Sequence, residues 1–182
     1  MDHLDNIFGK RNLLDLSKKV FNTVLNEDVF YEENEVNLNS EIFKAETINF
    51  VLADGLGTEN LKMSRSDFLN NSNSFSVNST FPSSTNVALS TINYVSKPVD
   101  TGILGYYLFD ENEHGLINAL NWNQENKSIL KDVDIKDNKT IWTILKSKGV
   151  TSNNIQPKDL IHSALSEYCL LYTSPSPRDV EE

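Results

Sequence analysis

The sequence predicts an α/β fold: a mostly parallel sheet sandwiched by helices, with a β-hairpin inserted. Three observations carry that prediction. The apolar run Asn49-Phe50-Val51-Leu52-Ala53 ends in Asp54-Gly55, the pattern of a strand buried on both faces. A turn built on Pro82, Ser83 and Ser84 opens a second segment of helical spacing. Residues 12–25 place Leu13, Leu16, Val20, Phe21, Val24 and Leu25 on one helical face, with Lys18, Lys19 and Asn22 on the other.

In chain order, residues 12–25 form the first, amphipathic helix. Residues 27–46 are acidic and rich in Asn, and read as a loop with a short helix around Glu41 to Lys44. Thr47 to Ala53 is the central strand, and Gly55 and Gly57 permit a tight exit from it. Thr58 caps a helix running to Leu69, with Glu59 in its first turn. Asn70 to Ser74 is a polar break, and Phe75 to Thr80 a short strand. Pro82 marks the next turn, because it has no N–H to give to a sheet or helix interior. Ser83 or Ser84 caps a helix over Thr85 to Tyr94, with Ala88, Leu89, Ile92 and Val95 inward. Ile103 to Phe109 and Leu116 to Leu120 pair as a hairpin across Asp110 to Gly115. Asp137 or Thr140 starts a helix through Lys148, and Gln156-Pro157-Lys158 leads into a last one over Asp159 to Tyr168.

A chain of 182 residues is long enough for one domain with a real core. Its formal charge of −10 argues against a nucleic-acid polymer as the main partner. No apolar run approaches the roughly 20 residues of a membrane helix, and Met1-Asp2-His3-Leu4-Asp5 is not the start of a secretory signal. A cytoplasmic protein without a membrane partner is therefore expected. The tail from Cys169 to Asp179 looks like the in-frame translation of a sequencing adapter. On that reading residues 1–168 are the N-terminal part of a longer hydrolase domain, and 169–182 are not native. The only cysteine, Cys169, then says nothing about redox environment.

The C-terminal ends of strands and the N-termini of the following helices face one edge of an open α/β sheet, where ligands bind. Asp54 ends such a strand, and the hydroxyls of residues 83–85 open such a helix. A carboxylate beside an activatable hydroxyl points to metal-assisted phosphoryl transfer. The hydroxyl needs a cation to lower its pKa, and two divalent ions about 4 Å apart neutralise charge on the phosphoryl oxygens. The expected substrate is a small phosphate ester.

The segments Val51 to Gly57, Phe81 to Thr91, Gly102-Ile103-Leu104-Gly105-Tyr106 and Asn118-Ala119-Leu120-Asn121-Trp122 follow one another in this order, preceded by Arg11-Asn12-Leu13-Leu14-Asp15-Leu16-Ser17. Together they resemble the alkaline phosphatase superfamily, within it the type I phosphodiesterase and nucleotide pyrophosphatase branch. The resemblance covers roughly residues 8 to 125. It implies a hydrolase of phosphate diesters or nucleotide pyrophosphates with a threonine nucleophile and two divalent ions, Zn²⁺ by family habit. Asp54 would be a metal ligand. Counting back from Tyr94-Val95, which occupy the place of the family's Thr-Gly helix end, puts the nucleophile and second metal contact at Thr85. Comparison with the Thr-Phe-Pro-Asn turn of nucleotide pyrophosphatases would choose Thr80. Tyr106 would be placed at the substrate.

The chain departs from the pattern in two places. Thr101-Gly102 replaces the usual His-Gly, and Tyr94-Val95 replaces Thr-Gly. The family's remaining Asp and His ligands come from its C-terminal half, so the site is expected to be incomplete here and the 182 residues inactive alone. His114 reads as solvated, His162 as surface and His3 as terminal. Tyr106, Tyr107 and Trp122 read first as core. A phosphomonoesterase or phosphomutase of the same superfamily, and a non-catalytic α/β binding protein with a degenerate site, are the alternatives. No Cys-x-Pro-x-Arg turn supports a sulfatase, and no Gly-x-x-x-x-Gly-Lys-Ser/Thr loop supports a P-loop protein.

Overall fold

The computed structural model describes residues 11–32, 34–110, 115–119 and 139–156. They form a mixed α/β structure. Six helices and two strands occur among them: α1 Leu13–Leu25, α2 Thr58–Lys62, α3 Asp67–Asn70, α4 Thr85–Tyr94, α5 Pro98–Thr101, β1 Tyr107–Asp110, β2 Gly115–Asn118 and α6 Ile141–Ser147. A 3-10 turn spans Ser40–Lys44.

Helix α1 starts where the sequence gives it a reciprocal cap. The Asp15 N–H donates to Asn12 Oδ1 at 3.0 Å, and the Asn12 N–H donates to Asp15 Oδ2 at 3.3 Å. Asn34 Nδ2 also donates to Asp15, so this buried carboxylate is satisfied from two directions. The helix ends at Asn26, whose φ of 51° is the left-handed conformation that Asn tolerates. Asn22 then anchors the exit. Its amide donates to the Phe30 carbonyl and accepts from the Phe30 N–H.

The core joins α1, α4 and α6. Leu14, Phe21 and Leu25 pack with Ile92 and Val95 and with Ile141 and Leu145, and Trp142 and Phe30 lie against them. Thr140 caps α6 by accepting from the Thr143 N–H. Trp142 Nε1 donates to Asn93 Oδ1 at 2.7 Å, a polar pin between α6 and the last turn of α4. Helix α4 is buried almost all round: Val87, Ser90 and Thr91 are fully enclosed, and Ile92 and Tyr94 nearly so. Its termination is strained. Val95 sits at φ 48°, ψ 43°, a region that costs an ordinary L-residue about 1–2 kcal/mol and suits glycine.

Three sequence expectations need correction. Thr47–Ala53 forms no strand, and the only sheet among the described residues is the antiparallel pair β1–β2, not a parallel one. Among the described residues the run takes one backbone bond, that from the Leu56 N–H to the Ala53 carbonyl. A strand needs neighbours for its backbone groups. Here none is at hand, and Val51 and Leu52 remain exposed; Phe50 alone reaches a core ring, 6.2 Å from Phe21. Phe75–Thr80 shrinks to one parallel bridge between Asn78 and Asn12. The helix expected over Thr58–Leu69 breaks into α2 and α3, because Ser66 restarts the chain as a new cap that accepts from the Leu69 N–H.

The hairpin is where the sequence placed it, shorter by a few residues, with Tyr107 opposite Asn118 and Phe109 opposite Leu116. His3, His114, Leu120–Trp122, Asp137, the expected helix over Asp159–Tyr168 and the tail from Cys169 lie outside the described residues. Among the described residues no helix is long and apolar enough to cross a membrane.

Candidate functional site

Asp54 occupies a tight turn. The Leu56 N–H donates to Ala53, and Gly55 sits at φ 76° in the third position, the left-handed slot that type II turns give to glycine. Asn60 Nδ2 braces the turn from α2 by donating to the Gly55 carbonyl at 3.2 Å. The glycine serves the turn, which leaves the Asp54 carboxylate free to point elsewhere.

It points to α4. Thr85 Oγ1 donates to Asp54 Oδ2 at 3.1 Å, across 31 residues of sequence. Thr85 is the first residue of the helix and Ser84 its cap position. Ser84 stands where the sequence put it, but its hydroxyl makes no capping bond and has no partner at all. The N–H groups of the first turn are therefore not met by the residue that normally meets them. Their partial positive charge suits an anion at this end of the helix.

Asp54, Ser79, Ser83, Ser84, Thr85, Ala88 and Tyr106 line a cavity of about 310 Å³. Tyr106 is exposed rather than core, and its ring meets Tyr107 edge-on at 5.2 Å. Thr80 is turned away from this cluster: its hydroxyl donates to the Pro82 carbonyl at 3.0 Å, within its own turn. Of the site residues drawn from the sequence, Asp54, Thr85 and Tyr106 thus share one cavity, and Thr80 is not among its walls.

Two participants were not legible in the sequence. Ser79 lies in the polar stretch before the proline turn and carries no distinguishing signal. Asn86 is fully buried just behind Thr85, and its Nδ2 lies 3.4 Å from the carbonyls of both Gly105 and Tyr106. An Asn one residue into an otherwise apolar helix start was the available hint.

Two oxygens bound to one divalent ion at 2.0–2.2 Å stand about 3.0 Å apart at a right angle and about 3.4 Å apart at the tetrahedral angle. The Thr85–Asp54 separation of 3.1 Å falls in that interval, and hard oxygen donors suit such an ion. The pair fits one edge of a cation site. It does not complete one, since no cluster of three or more His, Cys, Asp or Glu side chains capable of holding a metal occurs among the described residues. No protein-family model matches the chain, and no curated protein or solved structure matches it either.

Proposed function

We propose that this chain carries the nucleophile-bearing part of a metal-dependent hydrolase of phosphate diesters or nucleotide pyrophosphates, of the alkaline phosphatase type. The observation that carries the reading is the Thr85–Asp54 contact: two residues 31 apart in sequence meet at a helix N-terminus inside one cavity. Thr85 is the attacking alcohol. Asp54 orients it by accepting its hydroxyl hydrogen and would share a cation with it; when bound, that cation supplies the positive charge that makes the alcohol acidic. The first-turn N–H groups of α4 face the phosphoryl oxygens, and Tyr106 walls the side where the ester group sits. On this reading the remaining metal ligands come from the C-terminal half that the resemblance implies, so the 182 residues alone are expected to bind Zn²⁺ weakly and to hydrolyse nothing. A small phosphate ester is the expected ligand, in the cytoplasm.

The short donor set favours one second reading, a non-catalytic binding protein with a degenerate site. One experiment separates the two. The chain is titrated with adenosine monophosphate in the presence of Mn²⁺, and the relaxation of the ³¹P nucleus is followed. Because Mn²⁺ binds the nucleotide phosphate directly, broadening is read against a protein-free Mn²⁺–nucleotide control; the hydrolase reading expects an increment above that control in the wild type, lost in both Asp54→Asn and Thr85→Val. Binding that ignores the metal supports the second reading. Absence of binding removes both.

A further inference from the structure

We propose that Asn86 is a positioning residue: it ties the Gly105-Tyr106 loop to the first turn of α4 and so holds the Tyr106 ring opposite Thr85. The functional meaning of that spacing rests on the phosphate-ester reading above. The geometry does not.

Asn86 follows Thr85 directly, and its side chain is wholly enclosed. Nδ2 lies 3.4 Å from two successive carbonyls, those of Gly105 and Tyr106. The Tyr106 carbonyl also accepts from the Ala119 N–H at 2.9 Å. One carbonyl is thereby held from the helix and from the return of the hairpin at once. The loop has little slack, because a Cβ at Gly105 would stand 3.3 Å from the Tyr107 carbonyl oxygen. Tyr106 and Thr85 are walls of the same cavity, so the amide that joins their backbones sets the distance across it.

The energetics separate positioning from simple stabilisation. Both bonds are long, at the weak end of hydrogen-bond geometry. Asn86 Oδ1 is buried without a partner, an unfavourable state that an apolar residue would avoid. The side chain therefore contributes little net stability. What it supplies is direction, through two donors aimed at one loop.

The test has two readouts on the full chain. The first is ¹⁹F NMR of protein labelled with 3-fluorotyrosine, with the Tyr106 line assigned by Tyr106→Phe. The second is titration with phenylphosphonate and with inorganic phosphate, both with Zn²⁺, for wild type, Asn86→Ala, Tyr106→Ala and the double variant. Asn86→Ala is expected to move the Tyr106 line while the Tyr31 line, outside the loop, stays in place. It should weaken phenylphosphonate about fivefold when Tyr106 is present and not when it is absent, because coupled neighbours are non-additive. Inorganic phosphate, which has no ring, should bind alike in both. If Asn86→Ala fails to fold, Asn86→Leu keeps a similar volume while removing both donors and the unpartnered acceptor, and should displace the same line. Asn86→Ser, with one donor, should restore part of the affinity. A Tyr106 line unmoved in Asn86→Ala and Asn86→Leu overturns the proposal. So does an equal loss of phenylphosphonate affinity in both backgrounds. If the wild type binds neither anion, the hydrolase reading fails, and the Tyr106 line still decides the role of Asn86.

Discussion

Replacing Trp142 by Phe isolates the pin between α6 and α4. The indole N–H donates to Asn93 Oδ1 at 2.7 Å, a short bond for a nitrogen donor. Asn93 is 8% exposed, and its Nδ2 is already committed to the Leu89 carbonyl. Phe keeps most of the ring in the core but leaves Asn93 Oδ1 with no donor and almost no water. The loss is then that of an unsatisfied buried acceptor, about 1–3 kcal/mol. For a chain of this size that lowers the thermal midpoint by roughly 2–4 °C per kcal/mol. The reverse change, Asn93→Ala, strands an indole that is only half buried and that water can reach, so its hydrogen-bond part should cost less. Urea unfolding followed by far-ultraviolet circular dichroism gives both values. The double variant should cost less than the sum, with a coupling of about 1 kcal/mol. Equal stability of Trp142→Phe and wild type, or strict additivity in the cycle, would refute the reasoning.

Three further outcomes follow from named contacts. Val95→Gly trades strain relief of about 1–2 kcal/mol against the loss of a buried side chain worth about 1.5–3 kcal/mol, so unfolding should show a much smaller loss than Ile141→Ala, which should cost about 2–5 kcal/mol; similar losses for the two would show that Val95 is unstrained. Asp15→Ala removes the return half of the reciprocal cap of α1 and the Asn34 contact together, while the backbone N–H at 15 still reaches Asn12 Oδ1, and should destabilise by about 1–2 kcal/mol in the same assay; no change would mean that these two bonds are idle. Val51→Lys puts a charge on an exposed side chain and should change unfolding by no more than about 0.5 kcal/mol in the same assay; a larger loss would show that Val51 is packed.

The elements legible in the sequence were those whose information is local. Asn12 and Asp15 announce the start of α1, Thr140 that of α6, and the Pro82-Ser83-Ser84 turn that of α4, and in each case the side chains or the missing N–H act within a few residues. The hairpin was legible for the same reason. Thr47–Ala53 was misread because a strand is a statement about neighbours, and apolar content alone does not provide them. Asp54 and Thr85 could be nominated from the rule that strand ends and helix starts share an edge, yet in the structure a hydrogen bond and a glycine turn bring them together without the sheet. Tyr106, read first as core and placed at the substrate by the resemblance, lies exposed at the cavity, just before β1. Asn86 escaped notice since its role depends on where the hairpin returns, which no local pattern encodes. The αL end of α4 calls for glycine, and Val95 fills it under strain.

The open backbone before Asp54 has a consequence for how the site is held shut. Among the described residues no ladder fixes this arm, so the carboxylate meets its alcohol much as a ligand on a tether meets a receptor. Closing a loop of 31 residues carries an entropic penalty of about 3 kcal/mol, from three-halves RT times the logarithm of its length, while a single water-exposed bond returns only about 0.5–1.5 kcal/mol. The clasp is weak by itself, and anything that bridges both halves, a cation or an anionic guest, would act as its latch.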